Sequence, residues 1–146
     1  MMITPVACQA EPLRVAVFVS GGGTNLQTLI DAAARGDLGK TELVKVVASR
    51  QEIKAIERAE KAGLPVAVIR RADFSSQLEY DQALIAALAD EAVDLVVLAG
   101  FLTRLGPEFI RAYQNRIINI HPSLLPQFGG PGFYGLKPHE AVLAAG

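Results

Sequence analysis

Two short stretches hold residue types that could act on a small polar ligand. The first is Ser20-Gly21-Gly22-Gly23-Thr24-Asn25. Three consecutive glycines allow a tight turn and a close approach of backbone to a ligand. With a helix beginning here, the amides of Gly23, Thr24 and Asn25 point out of its N-terminus, and the Thr24 and Asn25 side chains add donors. Free amides at the positive end of a helix suit an anion such as phosphate. No Gly-Lys-Ser/Thr follows, so the stretch is not a Walker A loop. Leu26 stands where a Gly-x-Gly-x-x-Gly dinucleotide turn has its third glycine. A glycine-rich turn that only caps a helix stays open as the plainer reading.

The second stretch is Asn119-Ile120-His121-Pro122-Ser123-Leu124-Leu125-Pro126. Side chains alternate along a strand, so Asn119 and His121 share one face while Ile118 and Ile120 take the other. Pro122 cannot continue the hydrogen-bond ladder, which sets His121 at the lip of a sheet. An amide can donate to a developing oxyanion; an imidazole can donate to it or shuttle a proton near neutral pH. A lone histidine is more often structural or solvated, but one at a strand end beside a polar neighbour suits chemistry better. Metal binding is rejected. The two histidines, His121 and His139, lack a His-Glu-x-x-His context, and Cys8 is no third ligand.

These stretches need elements to position them. Residues 13–19 form a β-branched run stopped by the glycines, and residues 25–35 carry Leu26, Leu29, Ile30 and Ala33 at helical spacing up to Gly36. The pattern then repeats. Strands are expected at 43–48, 66–69, 95–98 and 117–120, and helices at 53–62, 80–91, 107–113 and from Pro138 to Gly146. Aliphatic strands alternating with helices predict an α/β fold, a doubly wound, mainly parallel sheet covered on both faces. Right-handed crossovers make it Rossmann-like. Residues 1–12 read as a flexible tail and 13–146 as one domain.

Composition sets limits. The chain has 146 residues, 51% hydrophobic and 20% charged, which fits one domain with an aliphatic core. Its formal net charge of -1 supplies no global field for nucleic acid or an anionic membrane. One cysteine cannot form an internal disulfide, in keeping with a reducing cytoplasm. No signal peptide and no run approaching the roughly 20 apolar residues of a membrane span is present. A cytoplasmic protein with no nucleic-acid or membrane partner is expected.

Four motifs in order carry a resemblance: Ser-Gly-Gly-Gly-Thr-Asn-Leu at 20–26, Val-Val-Leu-Ala-Gly-Phe at 96–101, Asn-Ile-His-Pro-Ser-Leu-Leu-Pro at 119–126 and Gly-Phe-Tyr-Gly-Leu-Lys-Pro-His-Glu at 132–140. Together they resemble the glycinamide ribonucleotide formyltransferase family, with its Rossmann-like formyltransferase fold. The Asn-x-His-x-Ser-x-Leu-Pro element is shared by enzymes of N10-formyl-tetrahydrofolate. The resemblance implies that Gly23, Thr24 and Asn25 hold the phosphate of glycinamide ribonucleotide, and that Leu102, Thr103, Arg104 and Leu105 line the folate pocket. It further implies that Asn119 contacts the formyl group and His121 is the catalytic acid. The implied reaction is direct formyl transfer to the glycinamide amine in purine biosynthesis, without a metal.

Three departures accompany the resemblance. Family members continue beyond the position of Gly146, adding strands and an aspartate that pairs with the histidine and raises its pKa. The resemblance therefore implies that the last strands are missing here, and that this chain alone has severely reduced activity. An exposed sheet edge would invite self-association. Gln77 stands where the family often has a basic residue near the folate glutamate tail; it either keeps a hydrogen bond there or is simply solvated. The loop 127–137 is longer than in some relatives, and His139 fits a helix surface better than the substrate. The rival readings are a formyltetrahydrofolate deformylase, which usually carries an extra N-terminal domain, and an inactive truncated binding module. A methionyl-tRNA formyltransferase is disfavoured by Gln127-Phe-Gly-Gly after Leu-Leu-Pro and by the net charge.

Overall fold

A computed structural model of the chain describes residues 11–120. Within them the elements run β1 (Leu13–Val19), α1 (Thr24–Ala34), β2 (Thr41–Ala48), α2 (Lys54–Lys61), β3 (Val66–Val68), a 3-10 turn (Arg71–Asp73), α3 (Gln77–Ala89), β4 (Leu95–Ala99), α4 (Pro107–Ala112) and β5 (Ile117–Ile120). The expectations for Cys8, His121, the loop 127–137, His139 and the helix from Pro138 fall outside the described residues. No helix among the described residues is long and apolar enough to cross a membrane.

The five strands form one sheet in the order β3-β2-β1-β4-β5, with every neighbouring pair parallel. The chain builds outwards from β1 to β3, then returns past β1 to lay down β4 and β5, which is the doubly wound arrangement. Alternate residues of β1 feed two cores. Val15, Val17 and Val19 pack with Leu26 of α1 and with Ala55 and Ala59 of α2. Ala16 and Phe18 face the other way, into Tyr80, Leu84 and Leu88 of α3 and Phe109 of α4. Helices on both faces explain why the strands read as unbroken aliphatic runs.

Two local features depart from the sequence reading. Opposite Val15 and Ala16, β2 carries one extra residue, so the pairing skips from Leu43 to Lys45. Val44 and Val47 then share one core while Leu43, Val46 and Ala48 join the other, as a β-bulge permits. The third helix starts at Gln77, three residues ahead of the apolar pattern. Ser76 Oγ accepts from the Glu79 amide at 3.1 Å, and Glu79 Oε2 accepts from the Ser75 hydroxyl at 2.7 Å and the Ser75 amide at 3.1 Å. This close relative of a capping box satisfies the first amides of the helix. The Ser75 hydroxyl and amide hold the Glu79 carboxyl below its ordinary pKa.

Tyr80 is fully buried, with no hydrogen-bond partner for its hydroxyl among the described residues. Burial pushes its pKa up to about 12, with the nearby Arg71 guanidinium opposing more weakly. Burial also raises Tyr113, opposed by Arg116. A raised tyrosine pKa means that the folded chain keeps a proton which the unfolded chain releases. Its contribution is therefore complete below pH 10 and is lost as pH climbs towards about 12. Urea unfolding over that range should show falling stability, and Tyr80→Phe should remove the larger part of the fall. An unchanged pH slope in Tyr80→Phe would show that Tyr80 is not its source.

Candidate ligand site at the strand ends

In a doubly wound sheet the crevice for ligands lies beyond the carboxyl ends of the strands, where the winding reverses. Here that point is between β1 and β4, since β1 pairs with β2 on one side and β4 on the other. The segments leaving these two ends are the glycine turn, 20–23, and the loop 100–106.

Gly23 is the N-cap of α1, in the left-handed region at φ 74° and ψ 28°, with no side chain capping the helix. Thr24 and Asn25 are its first two residues, so the amides singled out in the sequence do gather at one helix end. Helix α2 holds the turn from behind. Ala55 N donates to the Gly21 carbonyl at 3.2 Å, and Arg58 Nε donates to the Gly22 carbonyl at 2.9 Å. Arg58 Nη1 also reaches Gln27 Oε1 on α1 at 3.3 Å. Two carbonyls of the turn are thereby occupied by α2. Lys54, Arg58 and Lys61 line the shallow pocket between α1 and α2 together with Gln27 and Glu57, giving the neighbourhood a positive bias.

The loop after β4 is pinned at both ends. Phe101 packs edge-on against Phe18, with ring centroids 5.3 Å apart. The Leu102 amide donates to Ser20 Oγ at 2.9 Å, joining this loop to the glycine turn. At the far end, the Gly106 amide donates to Asp81 Oδ1 at 3.0 Å and the Phe109 amide to Asp81 Oδ2 at 3.3 Å. Asp81, fully buried on α3, thus performs for α4 the capping that Gly106 has no side chain to do. Gln77 Nε2 donates both to Asp81 Oδ1 at 2.8 Å and to the Arg104 carbonyl at 3.3 Å, while Arg71 Nε donates to Gln77 Oε1 at 3.3 Å.

Gln77, Arg104, Leu105, Gly106, Pro107 and Ile110 line a cleft of about 540 Å³. Gln77, the first residue of α3, is half-buried and hydrogen-bonded to the loop that lines this cleft. The structure brings Gln77 together with Arg104 and Leu105, and at the other end of the same loop it joins Leu102 to the 20–25 segment through Ser20. Asn119 lies exposed on β5, in register with Leu98 of β4, near the strand ends that open on the same crevice. Its expected partner His121 lies beyond the described residues.

Two residues that hold this site had no role in the sequence reading, Arg58 and Asp81, and Ser20 was named there only as the start of the glycine stretch. Asp81 did leave a signal, because it falls on the same helical face as Leu84 and Leu88, where an unpaired carboxylate would be costly. Among the described residues no group of His, Cys, Asp and Glu could hold a metal ion.

Fold and site together define a doubly wound α/β domain with an open helix N-terminus and a pinned loop facing the switch point of its sheet. A family model described as formyl transferase matches residues 13–146, and the chain belongs to the formyl transferase family. It is 43% identical over 133 residues to a phosphoribosylglycinamide formyltransferase of Haemophilus influenzae, covering 91% of this chain and 60% of that protein. It is 40% identical to the chloroplastic phosphoribosylglycinamide formyltransferase of Vigna unguiculata, over 91% of this chain and 42% of that one. Among solved structures, glycinamide ribonucleotide transformylase 1 from Symbiobacterium toebii matches with a TM-score of 0.81 and 36% identity, over 94% of this chain and 62% of that chain. The enzyme of the same name from Geobacillus kaustophilus matches with a TM-score of 0.80 and 38% identity, over 91% and 68%. The chain thus spans about 60% of the length of the Haemophilus relative.

Proposed function

We propose that this chain carries the larger part of a glycinamide ribonucleotide formyltransferase, which moves the formyl group of N10-formyl-tetrahydrofolate to the amine of glycinamide ribonucleotide. The observation that carries this reading is the side-by-side placement, at one switch point, of an uncapped helix N-terminus and the pinned loop 102–106. The names of the relatives in both comparisons support it.

Each residue has a task on this reading. The amides of Gly23, Thr24 and Asn25, with the last two side chains, hold the substrate phosphate, where the helix end favours negative charge. Leu102, Thr103, Arg104 and Leu105 present backbone and apolar groups to the folate, and Gln77 fixes the Arg104 carbonyl beside it. Bound folate supplies the activated one-carbon unit. Asn119 donates a hydrogen bond to the formyl oxygen, stabilising negative charge as it develops there. The glycinamide amine attacks the formyl carbon and the bond from that carbon to folate N10 breaks, N10 leaving as an amine; His121, as the acid, carries the proton given up by the attacking amine towards N10. Placement and hydrogen bonding then do the work without a metal.

Thermal unfolding with and without glycinamide ribonucleotide tests the phosphate assignment. A ligand that binds only the folded chain adds about 2.7 kcal/mol at a hundredfold excess over its dissociation constant. A cooperative melt shifted upward by the ribonucleotide is the expected result. A formyltetrahydrofolate deformylase, which passes the formyl group to water, has no use for that ligand. A cooperative but unshifted melt would overturn the assignment.

A further inference from the structure

Among the polar groups at the crevice, one side chain belongs to both ligand-facing segments. Ser20 ends the central strand and begins the glycine turn, and it is only 2% exposed. Its Oγ accepts from the Leu102 amide at 2.9 Å and lies 2.5 Å from Ser49 Oγ at the end of β2. The Leu102 amide can only donate, so the Ser20 oxygen is the acceptor there and the Ser20 proton is free for Ser49. Ser49 is 7% exposed, and its amide donates to the Val19 carbonyl at 3.0 Å, which fixes the pair to the sheet. Three adjacent strand ends, those of β2, β1 and β4, therefore meet at two hydroxyls.

A surface hydroxyl could exchange such bonds for water. These two are shielded from it, so the serine side of the bond to Leu102 has no easy substitute, and removing the Ser20 hydroxyl takes away the acceptor of a part-buried hydrogen bond. Leu102 itself is 74% exposed, and its amide bond to Ser20 ties it to the sheet beside Phe101, which packs on Phe18. The turn on the other side of Ser20 is held through its Gly21 and Gly22 carbonyls by α2. The Ser20 backbone and its short side chain give a shift of the turn a direct route to Leu102.

We propose that Ser20 is a positioning residue serving both substrates at once: its hydroxyl, oriented by Ser49, sets the loop 102–105 relative to the phosphate turn and couples their occupancy. The inference rests on the function proposed above, because that reading assigns one substrate to each segment. It predicts that an occupied phosphate turn tightens the Leu102 amide, and that a folate analogue binds better when the ribonucleotide is already present.

Amide hydrogen exchange of the full chain tests this, with and without glycinamide ribonucleotide, in the parent and in Ser20→Ala, Ser49→Ala and Ser20→Thr. In the ligand-free state Ser20→Ala should speed exchange at Leu102 by roughly tenfold or more, with core amides such as Val17 and Val46 little changed. Ser49→Ala, which keeps the acceptor, should give a smaller effect in the same place and serves if Ser20→Ala does not fold. Ser20→Thr keeps the hydroxyl and should restore protection at Leu102. In the parent the ribonucleotide should protect Gly23 to Asn25 and Leu102 together, and in Ser20→Ala only the former. Exchange at Leu102 that ignores both alanine variants would overturn the proposal, as would ribonucleotide protection reaching Leu102 undiminished in Ser20→Ala. Failure of the ribonucleotide to protect any residue of the parent would instead sink the assigned substrate and, with it, the coupling; the ligand-free comparison would still decide whether Ser20 positions Leu102.

Discussion

Gly23→Ala is expected to destabilise the chain by about 3 kcal/mol or more and to abolish binding at the glycine turn. Two effects add. An alanine held at φ 74° in the left-handed region costs about 1–2 kcal/mol. Its Cβ would also lie 2.7 Å from both the Cα and the Cβ of Ala55, with Arg58 Cδ at 3.3 Å. The first two are parts of helix α2 that no rotamer change can move aside, so either the turn or the helix must shift, and over-packing of this kind costs about 1–3 kcal/mol. The shift falls on the segment whose amides are assigned to the substrate phosphate. Gly22→Ala is the control one residue away. Nothing lies within 4 Å of a Cβ placed there, and Gly22 is not among the glycines with positive φ. It should change stability by no more than about 0.5–1 kcal/mol. Urea unfolding of both variants, with a titration of glycinamide ribonucleotide, measures the difference. Equal stabilities would refute the close approach of turn and helix as the reason for a glycine at 23.

Asp81→Asn comes second in expected effect, at about 2–4 kcal/mol of lost stability. The carboxylate of Asp81 is fully buried and accepts from three donors: Gln77 Nε2, Gly106 N and Phe109 N. An asparagine has nearly the same shape but brings an NH2 group in place of one oxygen. At least one of the three donors then faces another donor and is left buried without an acceptor. Packing tightens the constraint, since a Cβ at Gly106 would run into Asp81 Oδ2 and lie 2.6 Å from Gln77 Cγ. The side chain therefore has no room to retreat towards the loop. Denaturant unfolding gives the global cost, and exchange at the Gly106 and Phe109 amides locates it. Binding of a folate analogue should weaken in parallel, because the cleft lined by Gln77, Arg104 and Leu105 loses its fixed edge. A variant within about 0.5 kcal/mol of the parent would show that Asp81 is dispensable to the loop.

Much of this architecture is legible in residue types. Strands buried on both faces need aliphatic side chains at every position, so 13–19 and 95–98 announce themselves without alternation. The start of α3 at Gln77 was also written in the chain, as Ser76-x-x-Glu79, but an apolar pattern beginning at Tyr80 points past it. The extra residue in β2 was not, because a bulge is defined only against the partner strand. At the site, the glycine turn and the Asn119 stretch stood out, while the side chains that hold the site in place did not.

By itself, then, the sequence determined the alternation of strand and helix, the parallel sheet and the turn at 20–23. These follow from demands that each residue meets locally: burial, helical spacing, and a backbone angle only glycine adopts cheaply. The tertiary structure alone decided which polar groups meet. Arg58 reaches the Gly22 carbonyl across 36 positions of chain, Ser20 receives the Leu102 amide across 82, and Asp81 receives Gly106 across 25. Serine, arginine and aspartate are common on protein surfaces, and nothing in their immediate neighbours says that these are held in place. Their pairing is set by the strand order β3-β2-β1-β4-β5, which lays β4 beside β1 and brings two distant loops to one crevice.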